Sequence, residues 1–228
     1  MIVYGRNAVR EAIRGPRRVQ SVWATKGAAG EFPGALPART EEIARRSGSD
    51  GHQGVCADVE EYRYADAAAL LRASDPVLVA LDEVTDPQNL GAVCRTAEVT
   101  GATGVILPER RSAEVTPAVC KASAGAVEHL AVARVRNLAD FLAEAKTAGC
   151  WSYGAAVGAR AGYRSVDWRG GIVLVLGAEG RGLRPRVVAA CDELVGLPMR
   201  GRIESLNVSA TAAVLLYEIL QQRLDAST

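Results

Sequence analysis

LPMRGRIESLNVSATAAVLLYE, residues 197–218, carries the sharpest signal in the chain. A Pro-Met turn leads into a short polar segment holding Glu204, Ser205 and Asn207, and that segment opens into a long apolar run. A helix starting there leaves its first backbone N–H groups unpaired. Ser and Asn are natural caps for them. The period places Val208, Ala212, Leu215, Leu216 and Ile219 on one face of a helix predicted over 207–223. Taken alone, the stretch reads equally well as an ordinary capped C-terminal helix. Two motifs elsewhere raise the functional reading.

The first is DPQNLGAVCRTA, residues 86–97, directly after the apolar run 77–81. That run predicts a parallel strand buried on both faces. Asn89 stands where it can cap a helix over 89–100, and Arg95 follows nearly two turns later, so both can point to one side. An Arg on the first helix after a strand can hold a phosphate bidentately. A surface Arg on an amphipathic helix is the plainer alternative. The second motif is LVLGAEGRGL, residues 174–183, a strand running into a glycine-rich turn. Glycines there permit positive φ and close approach of a ligand. Neither the phosphate-loop pattern nor the dinucleotide fingerprint is present. Glu179 within the turn would repel phosphate and suits a ligand with a positive or neutral reacting centre. A tight turn with a solvated Glu is the alternative.

Bulk properties narrow the class. The chain has 228 residues, 49% of them apolar, which suits an α/β protein of one large or two smaller domains. Aromatics make up only 5%, too few for a base-stacking platform. A net charge of +1 argues against a wholesale nucleic-acid coat but leaves room for a local patch. Arg6, Arg10, Arg14, Arg17, Arg18 and Lys26 form one candidate near the N-terminus, opposed there by Glu11; a solvated helix face explains them equally. Five scattered cysteines and two histidines give neither a disulfide framework nor metal-ligand spacing. No metal is expected, and a reduced, cytoplasmic protein fits best. Neither a signal peptide nor a membrane span is expected.

Along the chain, residues 1–58 read as a small α/β unit, with helices at 7–14 and 40–46, strands at 19–24 and 54–57, and a loop at 27–37. Residues 59–75 read as a linker that includes an Ala/Leu-rich helix ending near Ser74. In 76–228, strands at 77–81, 104–107, 150–155, 172–176 and 193–196 alternate with helices at 89–100, 117–124, 138–148 and 185–190. That alternation predicts a parallel sheet with helices on both faces. The tail 225–228 is expected to fray.

In order and spacing, the three motifs resemble those of the SpoU/TrmH-type RNA ribose 2′-O-methyltransferases of the SPOUT superfamily, over about residues 77–223. The N-terminal part resembles the ribosomal-protein-like RNA-binding domain of the rRNA-modifying branch. It does so through Tyr4-Gly5-Arg6-Asn7-Ala8-Val9 with Glu11-Ala12, and through His52-Gln53-Gly54-Val55. Asn7 departs from the family, which often has His there. The resemblance implies an α/β fold, a parallel sheet flanked by helices with a C-terminal trefoil knot, preceded by the small RNA-binding domain. A knot runs against the general rule that chains are unknotted, and only the resemblance suggests it.

The resemblance also implies S-adenosylmethionine as methyl donor, held by Gly177, Glu179, Gly180, Leu197, Met199, Leu206, Asn207 and Ser209. Its catalytic positions fall on Asn89, Arg95, Glu179, Ser205 and Asn207. Arg95 would orient the target phosphate and stabilise a developing alkoxide. Glu179 would take the proton or orient Arg95. Arg6, Arg10 and Arg14 would meet RNA phosphates, and the protein would act as a homodimer through the knotted domain. The implied substrate is a guanosine of 23S rRNA. A tRNA ribose enzyme and a non-catalytic RNA-binding ribosome-assembly protein on the same fold are the alternatives. An oxidoreductase would need the dinucleotide fingerprint this chain lacks.

Overall fold

Short polar or glycine-containing connections break the chain into elements that build two sheets. The computed structural model describes residues 1–226; Ser227 and Thr228, part of the tail expected to fray, lie outside the described residues. The strands are β1 (Ile2–Tyr4), β2 (Val19–Ala24), β3 (Leu36–Pro37), β4 (Val55–Val59), β5 (Val77–Asp82), β6 (Gly104–Pro108), β7 (Ala131–Val135), β8 (Trp151–Ala155), β9 (Ala161–Gly162), β10 (Ile172–Gly177) and β11 (Glu193–Gly196). The helices are α1 (Arg6–Arg14), α2 (Thr40–Ser47), α3 (Ala67–Leu71), α4 (Pro87–Val99), α5 (Pro117–Ala122), α6 (Leu138–Thr147), α7 (Pro185–Ala190) and α8 (Val208–Asp225).

The first sheet has the order β1-β4-β2-β3, antiparallel except for the β2–β3 pair. Its core joins Val3, Val55, Ala57 and Val59 to Ala8, Val9 and Ala12 of α1. The second sheet has the order β7-β6-β5-β10-β8-β11-β9, and every pair in it is parallel. β5 and β6 are buried throughout, as strands covered on both faces must be. Side chains alternate across the sheet. Val77, Val79 and Leu81 pack with Leu90, Val93, Leu215 and Leu216 of α4 and α8. Leu78 and Ala80 pack on the other face with Leu138, Leu142 and Val187 of α6 and α7. Gly91 lets α4 approach α5: a Cβ there would sit 2.4 Å from the Ala122 Cβ and 2.8 Å from the Ser123 nitrogen.

The expected linker is bonded to the second sheet. Ala65 N donates to Val132 O at 2.9 Å, and Tyr62 Oη donates to Leu130 O at 3.3 Å. Val115 N donates to Tyr64 Oη at 2.9 Å. The helix in this stretch covers only Ala67–Leu71, capped by Asp66, and stops before Ser74.

A charged seam joins the two sheets' domains. Arg17 Nε donates to Glu128 Oε2 at 2.8 Å, its Nη2 pairs with Glu128 Oε1, and its Nη1 donates to Glu60 O at 2.8 Å. Both side chains are buried. Burial alone would lower the Arg17 pKa, but the Glu128 carboxylate holds it above its ordinary value. Arg17 therefore leaves the basic patch into which its sequence position placed it. His129 Nε2 lies 2.9 Å from Glu11 Oε2 across the same seam.

Candidate active site

All strands of the second sheet run in one direction, so their carboxyl ends share one edge, the usual place for a ligand in such a sheet. A cavity of about 830 Å³ opens there, within the range of small-molecule sites, roughly 300–1,000 Å³. Its walls are the ends of β8 and β10, the turn 177–183 and the segment 197–208. The turn is closed tightly: Gly182 N donates to Ala178 O at 2.9 Å. A Cβ on Gly177 would lie 2.2 Å from the Gly182 carbonyl carbon, so only glycine fits.

Three side chains from distant parts of the chain meet beside this cavity: Glu179 and Asn207 line it, and Asn89, outside its lining, bonds to both. Asn207 is the N-cap of α8: its Oδ1 accepts from Ser209 N at 2.8 Å and Ala210 N at 3.4 Å. With the oxygen committed, its Nδ2 faces the other way. It donates to Asn89 Oδ1 at 2.9 Å and to Glu179 Oε1. Asn89 Nδ2 donates to the same Glu179 oxygen at 3.0 Å. Two amides thus fix one oxygen of the carboxylate, and the other, Oε2, has no hydrogen-bond partner among the described residues. Asn89 does not cap its helix, contrary to the expectation from sequence. Asp86 caps α4, accepting from Gln88 N at 3.1 Å and Asn89 N at 3.4 Å, with Pro87 in the first turn. That frees the Asn89 side chain for Glu179.

The far end of the turn is latched. Asp82, at the end of β5 and with its side chain fully buried, accepts from Arg184 N and Nε, each at 2.8 Å, and its Oδ1 lies 2.6 Å from Arg184 Nη2 in an ion pair. The turn is therefore held at Glu179 by two amides and at Arg184 by a carboxylate.

Of the residues expected to hold a donor, Gly177, Glu179, Gly180, Leu197, Met199, Leu206 and Asn207 line the cavity. Ser209 does not; its hydroxyl donates to Asn207 Oδ1. Ser205 lines the cavity on the exposed segment. Arg95 is elsewhere: it is exposed, without an ion pair among the described residues, and lines a separate cavity of about 180 Å³ with Asn7, Gln53 and Lys121. Asn89 and Arg95, nearly two turns apart on α4, share neither cavity, although their spacing lets both point to one side. Sequence reasoning missed Ala155, Ala156, Val157 and Thr211, which also line the larger cavity. Three of them sit at or just past the carboxyl end of β8, where the topology rule would have pointed.

The N-terminal arginines are at the surface but paired. Arg6 Nη1 lies 2.6 Å from Glu31 Oε1, Arg10 Nη2 lies 2.7 Å from Glu31 Oε2, and Arg14 Nη1 lies 2.9 Å from Glu11 Oε1. Any anionic ligand would compete with these carboxylates.

No cysteine lines either cavity. Burial pushes the Cys94 and Cys191 thiols up to about 12 and those of Cys56 and Cys120 up to about 11. None is a ready thiolate nucleophile. Neither histidine reaches the large cavity: His52 Nδ1 accepts from Gly54 N at 2.9 Å, and His129 faces Glu11. Among the described residues, no group of three or more His, Cys, Asp or Glu side chains could hold a metal, and no helix is long and apolar enough to cross a membrane.

Comparison with known proteins agrees with this architecture. Residues 76–217 match the model of the SpoU rRNA Methylase family, and residues 2–65 match that of RNA 2′-O ribose methyltransferase substrate binding. YacO of Bacillus subtilis (strain 168), named as a TrmH family tRNA/rRNA methyltransferase, is 37% identical, with 97% of this chain and 95% of that one covered. The AdoMet-bound rRNA methyltransferase from Sinorhizobium meliloti superposes with a TM-score of 0.81 at 26% identity, covering 96% of this chain and 86% of that one. The SpoU methyltransferase AviRb from Streptomyces viridochromogenes, solved with AdoMet, shares the fold with a TM-score of 0.82 at 24% identity, covering 98% and 90%. With a family model spanning more than half of its length and a relative matched almost end to end, the chain belongs to the SpoU rRNA methylase family.

Proposed function

We propose that this chain transfers a methyl group from S-adenosylmethionine to a ribose 2′-hydroxyl of RNA, on a guanosine of 23S rRNA. The Asn89–Glu179–Asn207 cluster at the mouth of the large cavity is the observation that carries this reading. The cavity's residues suit the donor. Leu176, Val195, Leu197 and Leu206 offer apolar walls for an adenine ring, and the turn 177–183 offers backbone groups for its polar edge. The donor supplies an electrophilic methyl carbon on a sulfonium. Glu179 keeps negative charge near that centre, and its free Oε2 accepts the hydroxyl proton directly or through water. Ser205 and Asn207 position the ribose and donor, and alignment supplies much of the rate.

Arg95 lies outside the donor cavity, which suits a role on the RNA. It orients the target phosphate. We include in this reading the knotted threading of residues 197–208 past the turn 177–183, and a homodimer through that region. Exposed Val214 and Tyr217 on α8, with Ile203 and Leu206 before it, offer an apolar face for such a dimer. The match of residues 2–65 to a substrate-binding domain favours a folded RNA, and rRNA is our assignment.

Two measurements test the reading. Deleting the gene and mapping ribose methylation across rRNA and tRNA should reveal one lost rRNA site, restored by the wild type and not by Arg95→Ala. A lost tRNA site would replace the rRNA assignment, and no lost ribose methyl group would defeat the reading. Separately, Arg184→Ala unlatches the turn from Asp82. Donor binding should weaken about tenfold, the equivalent of about 1.4 kcal/mol of lost order. An unchanged dissociation constant in calorimetry would remove the latch from donor binding.

A further inference from the structure

The smaller cavity lies where the two domains meet, and the N-terminal motifs singled out in the sequence converge on it. Gly5 and Asn7 come from the segment 4–9 and Gln53 from the segment 52–55; Arg95 comes from α4 and Lys121 from α5. The two motifs are bonded to each other there: Arg6 N donates to Gln53 Oε1 at 3.0 Å, and Arg6 Nε donates to Gln53 O at 3.3 Å. Gln53 holds a left-handed φ of 55° and Gly5 a φ of 94°. A non-glycine residue in that region is strained unless its surroundings over-determine it, and such strain gathers at functional sites. Lys121 crosses the cavity, with its ammonium on the Gly51 carbonyl and 5.4 Å from the Tyr4 ring centroid. Two cations line this cavity and no carboxylate does. Arg95 has no anion of its own among the described residues, unlike Arg6, Arg10, Arg14 and Arg17.

We infer that this interdomain cavity is a subsite for an RNA phosphodiester, gripped by Lys121 and Arg95 from the methyltransferase domain and by Asn7 and Gln53 from the substrate-binding domain. The inference rests on RNA being the substrate. A guanidinium and an ammonium on one side and amide donors on the other match the charge and hydrogen-bonding needs of a phosphate. The cavity's volume of about 180 Å³ is ample for a phosphate group. One RNA backbone is then held by both domains at once. The buried Arg17–Glu128 pair keeps the two halves of the subsite in register.

The test is the salt dependence of binding of a short mixed-sequence single-stranded RNA to the full chain. Losing one phosphate contact flattens the log–log salt slope by about 0.7 and weakens binding about fourfold near physiological salt. Lys121→Gln should show that change, while Lys121→Arg keeps the wild-type slope. Gln53→Glu places a carboxylate in the cavity without touching the Lys121–Gly51 bond and should weaken RNA binding at least as much. S-adenosylmethionine affinity should stay constant in all three. An unchanged slope and affinity in Lys121→Gln and Gln53→Glu would overturn the inference. So would a lowered melting temperature with an unchanged slope, which would make Lys121 a domain clamp only. These outcomes read RNA binding and do not depend on turnover. A wild type that binds RNA without methylating it would defeat the functional reading and leave the subsite standing.

Discussion

Asn207→Asp is expected to lower the methyl-transfer rate about a hundredfold, the scale of loss when a reacting group is misplaced by about 1 Å. The substitution keeps the cap: a carboxylate oxygen can still accept from Ser209 N and Ala210 N. It removes the Nδ2 donor that faces Asn89 Oδ1 and Glu179 Oε1, and sets a second carboxylate against Glu179. The cap is kept, so whatever thermal stability is lost comes from the two facing carboxylates and is regained as pH falls. The pH profile adds a signature. Two adjacent carboxylates raise one pKa, and the protonated form restores a donor to Glu179. Activity of the variant should therefore climb as pH falls through that raised pKa. Wild-type rates from Asn207→Asp at neutral pH would remove the cluster from the chemistry.

Glu128→Ala is expected to destabilise the protein by about 3–5 kcal/mol, because it leaves a buried guanidinium without its carboxylate. Arg17 would keep only the Glu60 carbonyl at 2.8 Å, a sulfur contact with Met1 at 3.5 Å, a distant one with Cys120, and the face of Tyr62 at 5.5 Å. Urea unfolding measures the loss. Replacing both partners together, Arg17→Met with Glu128→Leu, should cost much less, since apolar residues of similar volume often substitute for a buried pair. A double variant that loses as much as Glu128→Ala would show that the unpaired guanidinium is not what destabilises the single variant.

The sequence made the central elements legible and hid the edges. The unbroken apolar runs 77–81 and 172–176 became β5 and β10, the middle of the sheet. β7 was missed because Arg134 interrupts a run whose Val132 and Ala133 are buried. β1 and β9 are too short to show a pattern, and β3 includes a proline. The glycine turn and the segment at 197–208 were legible as motifs because each puts its chemistry in a few consecutive residues. The relation between them was not. Asn89 and Asn207 stand 118 positions apart, and no local spacing shows that their amides meet on Glu179. Charge counting misled for a similar reason. Glu31 is distant from Arg6 and Arg10 in sequence yet pairs with both, and Glu128 withdraws Arg17 from the surface.

The strand order also sets a timetable for folding. Every strand of the first sheet lies within residues 2–59, so that sheet can close as soon as its own chain has been made. The larger sheet cannot. Its middle ladder joins Val77 to Ile172, and β8 reaches β5 only through β10. Contacts so distant in sequence delay folding, because the loop must be closed before the pairing repays it. During synthesis, β5 and β6 must wait with one apolar edge uncovered until residues 172–177 arrive.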